Sequence, residues 1–268
     1  MIVGAAVLLT ACDVKDPIYE TDHPAGAEVT VTLDWNGIAP NIKPADYWVS
    51  YQGDELKAEA DEFTMHDLAP GSYTLYSYNK PEGIAISETT ATAVYTATPI
   101  GWLFTGKLTE TVEADRDYAF TVPMKQQVRQ LTLTIEPTGG TADKIESITA
   151  SLSGVAGTLD MDSDTHGSPS NAPLTFTKGN DGKWTATVRL LGITGSVQKM
   201  TGTITFTGGT PADIPLESDL SAGLTMFNAD KKTPLALDGG RVELQTEAGF
   251  TATINDWKTG NNGTGIAD

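Results

Sequence analysis

The stretch AEVTVTLDW, residues 27–35, alternates apolar and polar side chains without a break. A period of two puts Val29, Val31, Leu33 and Trp35 on one face of an extended chain and Thr30, Thr32 and Asp34 on the other. That pattern predicts a strand with one face against a core and the other in water. The pattern recurs outward from there. GSYTLYSYN (71–79) sets Tyr73, Leu75 and Ser77 against Thr74, Tyr76 and Tyr78, and AFTVPM (119–124) turns Phe120, Val122 and Met124 inward. In QLTLTIEPTGG (130–140), Leu131, Leu133 and Ile135 face a new core before Pro137-Thr138-Gly139-Gly140 ends the strand. KWTATVRLLG (183–192) aligns Trp184, Ala186, Val188 and Leu190; GTITFTGG (202–209) aligns Gly202, Ile204 and Phe206; GFTATINDW (249–257) aligns Phe250, Ala252 and Ile254.

Short strands at regular spacing, separated by Gly, Pro, Asn and Asp, are the sequence form of antiparallel β-sandwiches. The expected fold is all-β, with two sandwiches in tandem: 26–126, and 127–258 beyond a seam at Lys125-Gln126-Gln127. A helical period occurs once, in SDLSAGLTMFN (218–228). There Leu220, Leu224 and Phe227 follow a Ser218 or Asp219 cap, which predicts one short helix across an open end of the second sandwich. Residues 259–268 read as a flexible tail.

The chain end is read separately. MIVGAAVLLTA, residues 1–11, is apolar but far short of the roughly 20 residues a spanning helix needs, so it reads as a secretory signal. Leu9, Thr10 and Ala11 before Cys12 fit the lipobox of bacterial lipoproteins, and Cys12 is the sole thiol of the chain. Cys12 is therefore the expected mature, lipidated N-terminus, and with no second cysteine the fold rests on its core. Met1-Ile2-Val3 lacks the basic residues that open such signals, which leads us to expect the natural start further upstream. Asp13, Lys15, Asp16, Glu20 and Asp22 make residues 12–25 an acidic tether, which resembles the export signals of some surface lipoproteins and is also the composition of a simple solvated linker.

Seventeen basic against 35 acidic residues, a net charge of −18, argue against nucleic acid and against docking on anionic lipid. Attachment to the outer membrane falls to the covalent lipid, and no other cofactor is expected. The search for chemistry finds little. His23, His66 and His166 lie in unrelated segments, and GSPSN (167–171) is no nucleophile elbow because proline follows its first serine. Asp160, Asp162 and Asp164 alternate like the first ligands of a calcium loop, but Thr165 stands where such a loop needs Gly and Asn171 where it needs Glu. The favoured reading is an acidic, solvated connection. Tyr47, Trp48, Tyr51, Tyr73, Tyr76 and Tyr78 could form a sugar platform, although alternation assigns part of the set to core packing.

VTVTLDWNG (29–37), DLAPGSYTLYSYN (67–79), FTVPMKQQVRQLTLTIEPTGG (120–140), SLSGVAGTLDMD (151–162), GSPSNAPLTFTKGNDGKWTATVRLLGI (167–193) and EAGFTATINDW (247–257) together resemble the fimbrillin-type lipoproteins of Bacteroidia, in particular the FimB/Mfa-like fimbrial subunits. The resemblance covers the chain after Cys12 and implies transthyretin-like sandwiches, surface export and partnership with other fimbrial subunits through β-strand complementation. It also implies that shaft subunits lose an N-terminal segment after a basic residue. Here Lys15 precedes the first strand and Lys43 follows it, with no arginine, so the strand is expected to stay and the chain to serve as an anchor or minor subunit. The alternatives are a shaft or tip subunit and, in another class, a glycan-binding surface lipoprotein using Trp48 or Tyr76. An enzyme is not expected.

Overall fold

The computed structural model describes residues 26–244, 252–254 and 257–260. Cys12, its lipobox, the tether and Phe250 lie outside these residues. The first half of the chain forms β1 (Ala27–Asp34), β2 (Tyr47–Tyr51), β3 (Asp54–Ala58), β4 (Glu62–Leu68), β5 (Gly71–Tyr78), β6 (Ile84–Ser87), β7 (Thr90–Ala93), β8 (Phe104–Val112), β9 (Tyr118–Pro123) and β10 (Lys125–Gln126). The second forms β11 (Arg129–Thr138), β12 (Ile145–Asp160), β13 (Thr165–Lys178), β14 (Trp184–Leu190), β15 (Lys199–Phe206), β16 (Ile214–Asp219), α1 (Ser221–Leu224), β17 (Leu235–Glu243), β18 (Ala252–Ile254) and β19 (Lys258–Thr259).

In the first sandwich a sheet ordered β4-β1-β9 covers one ordered β10-β8-β5-β2-β3. The inward residues of 27–35 behave as the alternation predicts: Val29, Val31 and Leu33 are buried with Tyr47, Val49, Tyr73, Leu75, Phe104 and Val122, and Trp35 packs at the margin. In the second, β18-β16-β15-β12-β13 forms one layer and β14-β11-β17-β19 the other. β13 joins them, because its last residues, Thr177 and Lys178, leave β12 to pair with Thr185 and Trp184 of β14. A strand that changes sheets in this way makes the corner of the sandwich. Leu131, Leu133, Ile135, Ile148, Leu152, Trp184, Ile204 and Phe206 lie in its core.

The pairing is antiparallel with three exceptions among the described strands: β1 with β9, β11 with β17, and β16 with β18 run parallel. β1 and β11 are equivalent, each lying between an antiparallel neighbour and a parallel one. The expected helix is a single turn. Leu220, Leu224 and Phe227 are all fully buried, and the N-cap position falls on Leu220 with no side-chain cap, so neither Ser218 nor Asp219 caps the helix; Asp219 Oδ1 accepts from Ser221 N at 2.9 Å in the turn that leads into it. The second sandwich also runs past residue 258, since β19 includes Thr259 and Gly260 N donates to Ala236 O.

Among the described residues, one strand pairing crosses between the halves. The β6–β7 hairpin, from within 26–126, adds to β12 through Thr92↔Thr158, Ala91↔Leu159 and Thr90↔Asp160. A bulge in β12 between Ser153 and Val155 makes this possible, because it separates the segment paired with β15 from the segment paired with β7. Gly154 supplies it, at φ +71° and with Val197 O only 2.4 Å from where a Cβ would stand.

Candidate functional site

Three places bear on function: the first strand and the link that follows it, the seam between the sandwiches, and the outer aromatic face of the five-stranded sheet.

β1 is an interior strand with Phe63, Thr64 and Met65 of β4 on one side and Tyr118 to Pro123 of β9 on the other. Its ends are tied as well: Leu33 N donates to Asp61 O at 2.7 Å and Met124 N to Asp34 O at 2.9 Å. After β1 the link turns through a short 3-10 segment, Pro40–Ile42, and reaches Lys43. Lys43 Nζ lies 2.8 and 2.6 Å from the two carboxylate oxygens of Asp61 and 5.1 Å over the Trp35 ring, while the buried Tyr47 donates its hydroxyl to Asp61 at 2.8 Å. Burial works against the Asp61 charge, but hydrogen bonds from Lys43 and Tyr47 outweigh it and hold the carboxyl below its usual range. The same burial and the Asp61 partner push the Tyr47 phenol well up.

At the seam, the tip of the β12–β13 hairpin places the three alternating aspartates against separate partners. Asp160 stays within its own turn, accepting from Asp162 N and the Ser163 hydroxyl. Asp162 reaches the first sandwich, where it pairs with Lys107 at 2.8 Å and accepts from Tyr76. Asp164 pairs with Lys125 at 3.1 Å and accepts from Gln127. The alternation that looked like a cation loop thus serves a turn and two cross-seam contacts, and among the described residues no three metal-donor side chains converge.

Beside Asp164, Lys231 Nζ donates to Gln127 Oε1 at 2.9 Å and Leu191 O at 3.2 Å and meets His166 Nε2 at 2.8 Å. Burial lowers the Lys231 pKa to about 8 despite Asp164. Burial and the adjacent ammonium lower that of His166 to about 4, so the imidazole is neutral and accepts from Lys231. Next to it, within the second sandwich, Arg129 hydrogen-bonds to the carbonyls of Thr233 and Phe227. A cleft of about 530 Å³ opens here, lined by Asp34, Lys125, Gln127, His166, Lys231 and Lys232 among others. Lys231 carries no motif in the sequence; only its partners at 127, 166 and 191, brought together by the fold, reveal it.

The aromatic residues divide as alternation predicts. Tyr47 and Tyr73 are buried in the first core, with Tyr51 packed at its margin. Trp48, Tyr76 and Tyr78 share the outer face. They are engaged within the protein: Lys80 and Lys57 sit 4.8 and 5.8 Å from the Trp48 ring centre, Tyr78 donates to Glu55, and Tyr76 donates to Asp162. Burial and Asp162 raise the Tyr76 phenol to about 12. His66 is exposed and pairs with Glu28 at 3.1 Å, and His23 lies outside the described residues.

A model of the family described as fimbrillin-A associated anchor proteins Mfa1 and Mfa2 matches residues 49–263. The chain belongs to this family. It is a family of fimbrial structural proteins rather than of enzymes. Solved structures agree on the fold. A candidate adhesin from Bacteroides ovatus ATCC 8483 superposes with a TM-score of 0.65 at 15% identity, covering 92% of this chain and 98% of that one. The fimbrial anchor protein Mfa2 from Porphyromonas gingivalis gives 0.56 at 14% identity, covering 87% and 97%. A candidate polysaccharide-binding protein from Bacteroides thetaiotaomicron VPI-5482 gives 0.56 at 10% identity, covering 80% and 91%. No curated protein matches the sequence.

Proposed function

We propose that this chain is a lipid-anchored base or minor subunit of a surface fimbria, held in the outer membrane through Cys12, that keeps its own first strand. The observation that carries this reading is the position of β1. It is the middle strand of its sheet, hydrogen-bonded on both sides, with Val29 and Val31 at 1% and 0% exposure. Burying such side chains contributes about 1.5–3 kcal/mol each, so loss of the strand would open a deep apolar groove. A subunit that retains it accepts no donor strand there and ends a chain of strand-complemented subunits; its fimbrial partner must engage another edge or contribute its own groove. Family membership and the lipobox at Leu9 to Ala11 support the same role.

The test is the N-terminus of the protein recovered from purified fimbriae. Acylated Cys12 is the expected result. A start after Lys43 would mean that β1 is removed and that the chain polymerises as a shaft subunit.

A further inference from the structure

We infer that Lys43, Asp61 and Trp35 form a clamp that locks the exit of β1 and shields the link between β1 and β2 from cleavage. This rests on the reading that retention of β1 sets the role of the subunit, and it supplies the physical means. Lys43 is the sole basic residue between β1 and β2. An endopeptidase that recognises a basic side chain must take that side chain whole into its own pocket and draw the flanking backbone into an extended form. Here the ammonium is already held by both oxygens of Asp61 and lies over the Trp35 ring.

The anchoring carboxylate is itself fixed. The main-chain oxygen of Asp61 accepts from Leu33 N, and its side chain accepts from the buried Tyr47 hydroxyl. Trp35, the residue directly after β1, packs on Tyr47 and Phe104 at ring-centre distances of 5.6 and 5.7 Å. Pulling Lys43 out therefore removes the cation from a partly buried carboxylate and uncovers the indole at the end of β1. A second bar is local. Residue 44 is proline, so the bond after Lys43 lacks the following N–H and constrains the conformation of Lys43 itself. The clamp and the proline act independently and can be separated by mutation.

The full-length protein carrying Pro44→Ala, which makes the bond chemically ordinary, is digested with a lysine-specific endopeptidase and the products are identified by mass. We expect cutting at the exposed Lys183 while the bond after Lys43 stays intact. Adding Asp61→Ala should speed cleavage after Lys43 by about two- to fivefold, because the pair is partly open to solvent and cleavage follows the population of the opened link. Asp61→Asn, which keeps an acceptor but drops the charge, should fall between the two. Cleavage after the exposed Lys57 and Lys178 at the parent rate would show that the change is confined to the link. If Pro44→Ala alone is cut after Lys43 as fast as after Lys183, or Asp61→Ala adds nothing, the clamp is wrong. If every site accelerates together, the effect is general unfolding and the clamp is likewise rejected. The digest reads the clamp in solution, whereas the fimbrial N-terminus reads retention, so either can fail without the other.

Discussion

At the scale of single residues, the seam holds the groups whose behaviour the sequence least discloses. His166 looks isolated in the chain, and Asp164 looks like part of an acidic run. Neither sequence neighbourhood announces that Lys231, some 65 residues further on, will sit between His166 and Gln127. The consequence is a pH dependence with a definite sign. The folded protein keeps His166 neutral down to about pH 4, whereas in the unfolded chain it titrates near 6.5. Between those values the unfolded state binds the extra proton, so stability is fully present above pH 6.5 and is lost as pH falls toward 4. Because the imidazole is only partly buried, the loss expected from it is on the order of 2 kcal/mol. Denaturant midpoints at pH 7 and pH 4.5 should differ less in His166→Gln than in the parent, and equal differences in the two would rule out this role for His166.

At the scale of elements, the period of two decided most of the fold. Residues 27–35, 131–135 and 184–190 place their apolar members in the two cores as alternation requires, since a strand with one wet face has no other way to bury them. Two elements were not legible in full. SDLSAGLTMFN carries a helical spacing, yet only one turn forms, because Leu220, Leu224 and Phe227 each find a place in the core without a longer helix. The β6–β7 hairpin, TATA opposite IAIS, goes unread in the sequence, because its short runs carry little alternation and nothing local says which sheet they will join. For β1 the energetics can be stated. Leu33→Ala should lower unfolding free energy by about 2–5 kcal/mol, since the side chain is 3% exposed and the sheets cannot close over the space. Thr32→Ala, one residue away on the outer face, should change it by less than about 1 kcal/mol. Denaturant titrations with unchanged slope would check both. Equal effects at the two positions would mean that β1 is not packed as described.

At the scale of the whole molecule, two cores are visible in the sequence but their coupling is not. The first sandwich sends the β6–β7 hairpin onto β12, and the second sends the tip of β12–β13 back to Tyr76, Lys107 and Lys125. Between them lies a third apolar cluster drawn from both halves, with Ile84, Ala91, Ile100 and Leu103 meeting Val128, Leu159 and Leu191. Those residues belong to no single alternating run, which is why sequence reading places a seam at 126–127 without showing what fills it. An interface that is apolar, sealed by sheet pairing and flanked by ion pairs should make the sandwiches unfold together. We therefore expect one transition, coincident by tryptophan fluorescence and far-ultraviolet circular dichroism, for a chain covering residues 26–260. Replacing the hairpin at 84–93 with a Gly-Ser linker removes the pairing with β12 and part of the shared cluster while leaving both principal cores untouched. In that variant the transition should split or broaden, with the two probes no longer coinciding. Two separated transitions in the parent, or a single sharp one in the variant, would show that the crossing hairpin does not couple the halves.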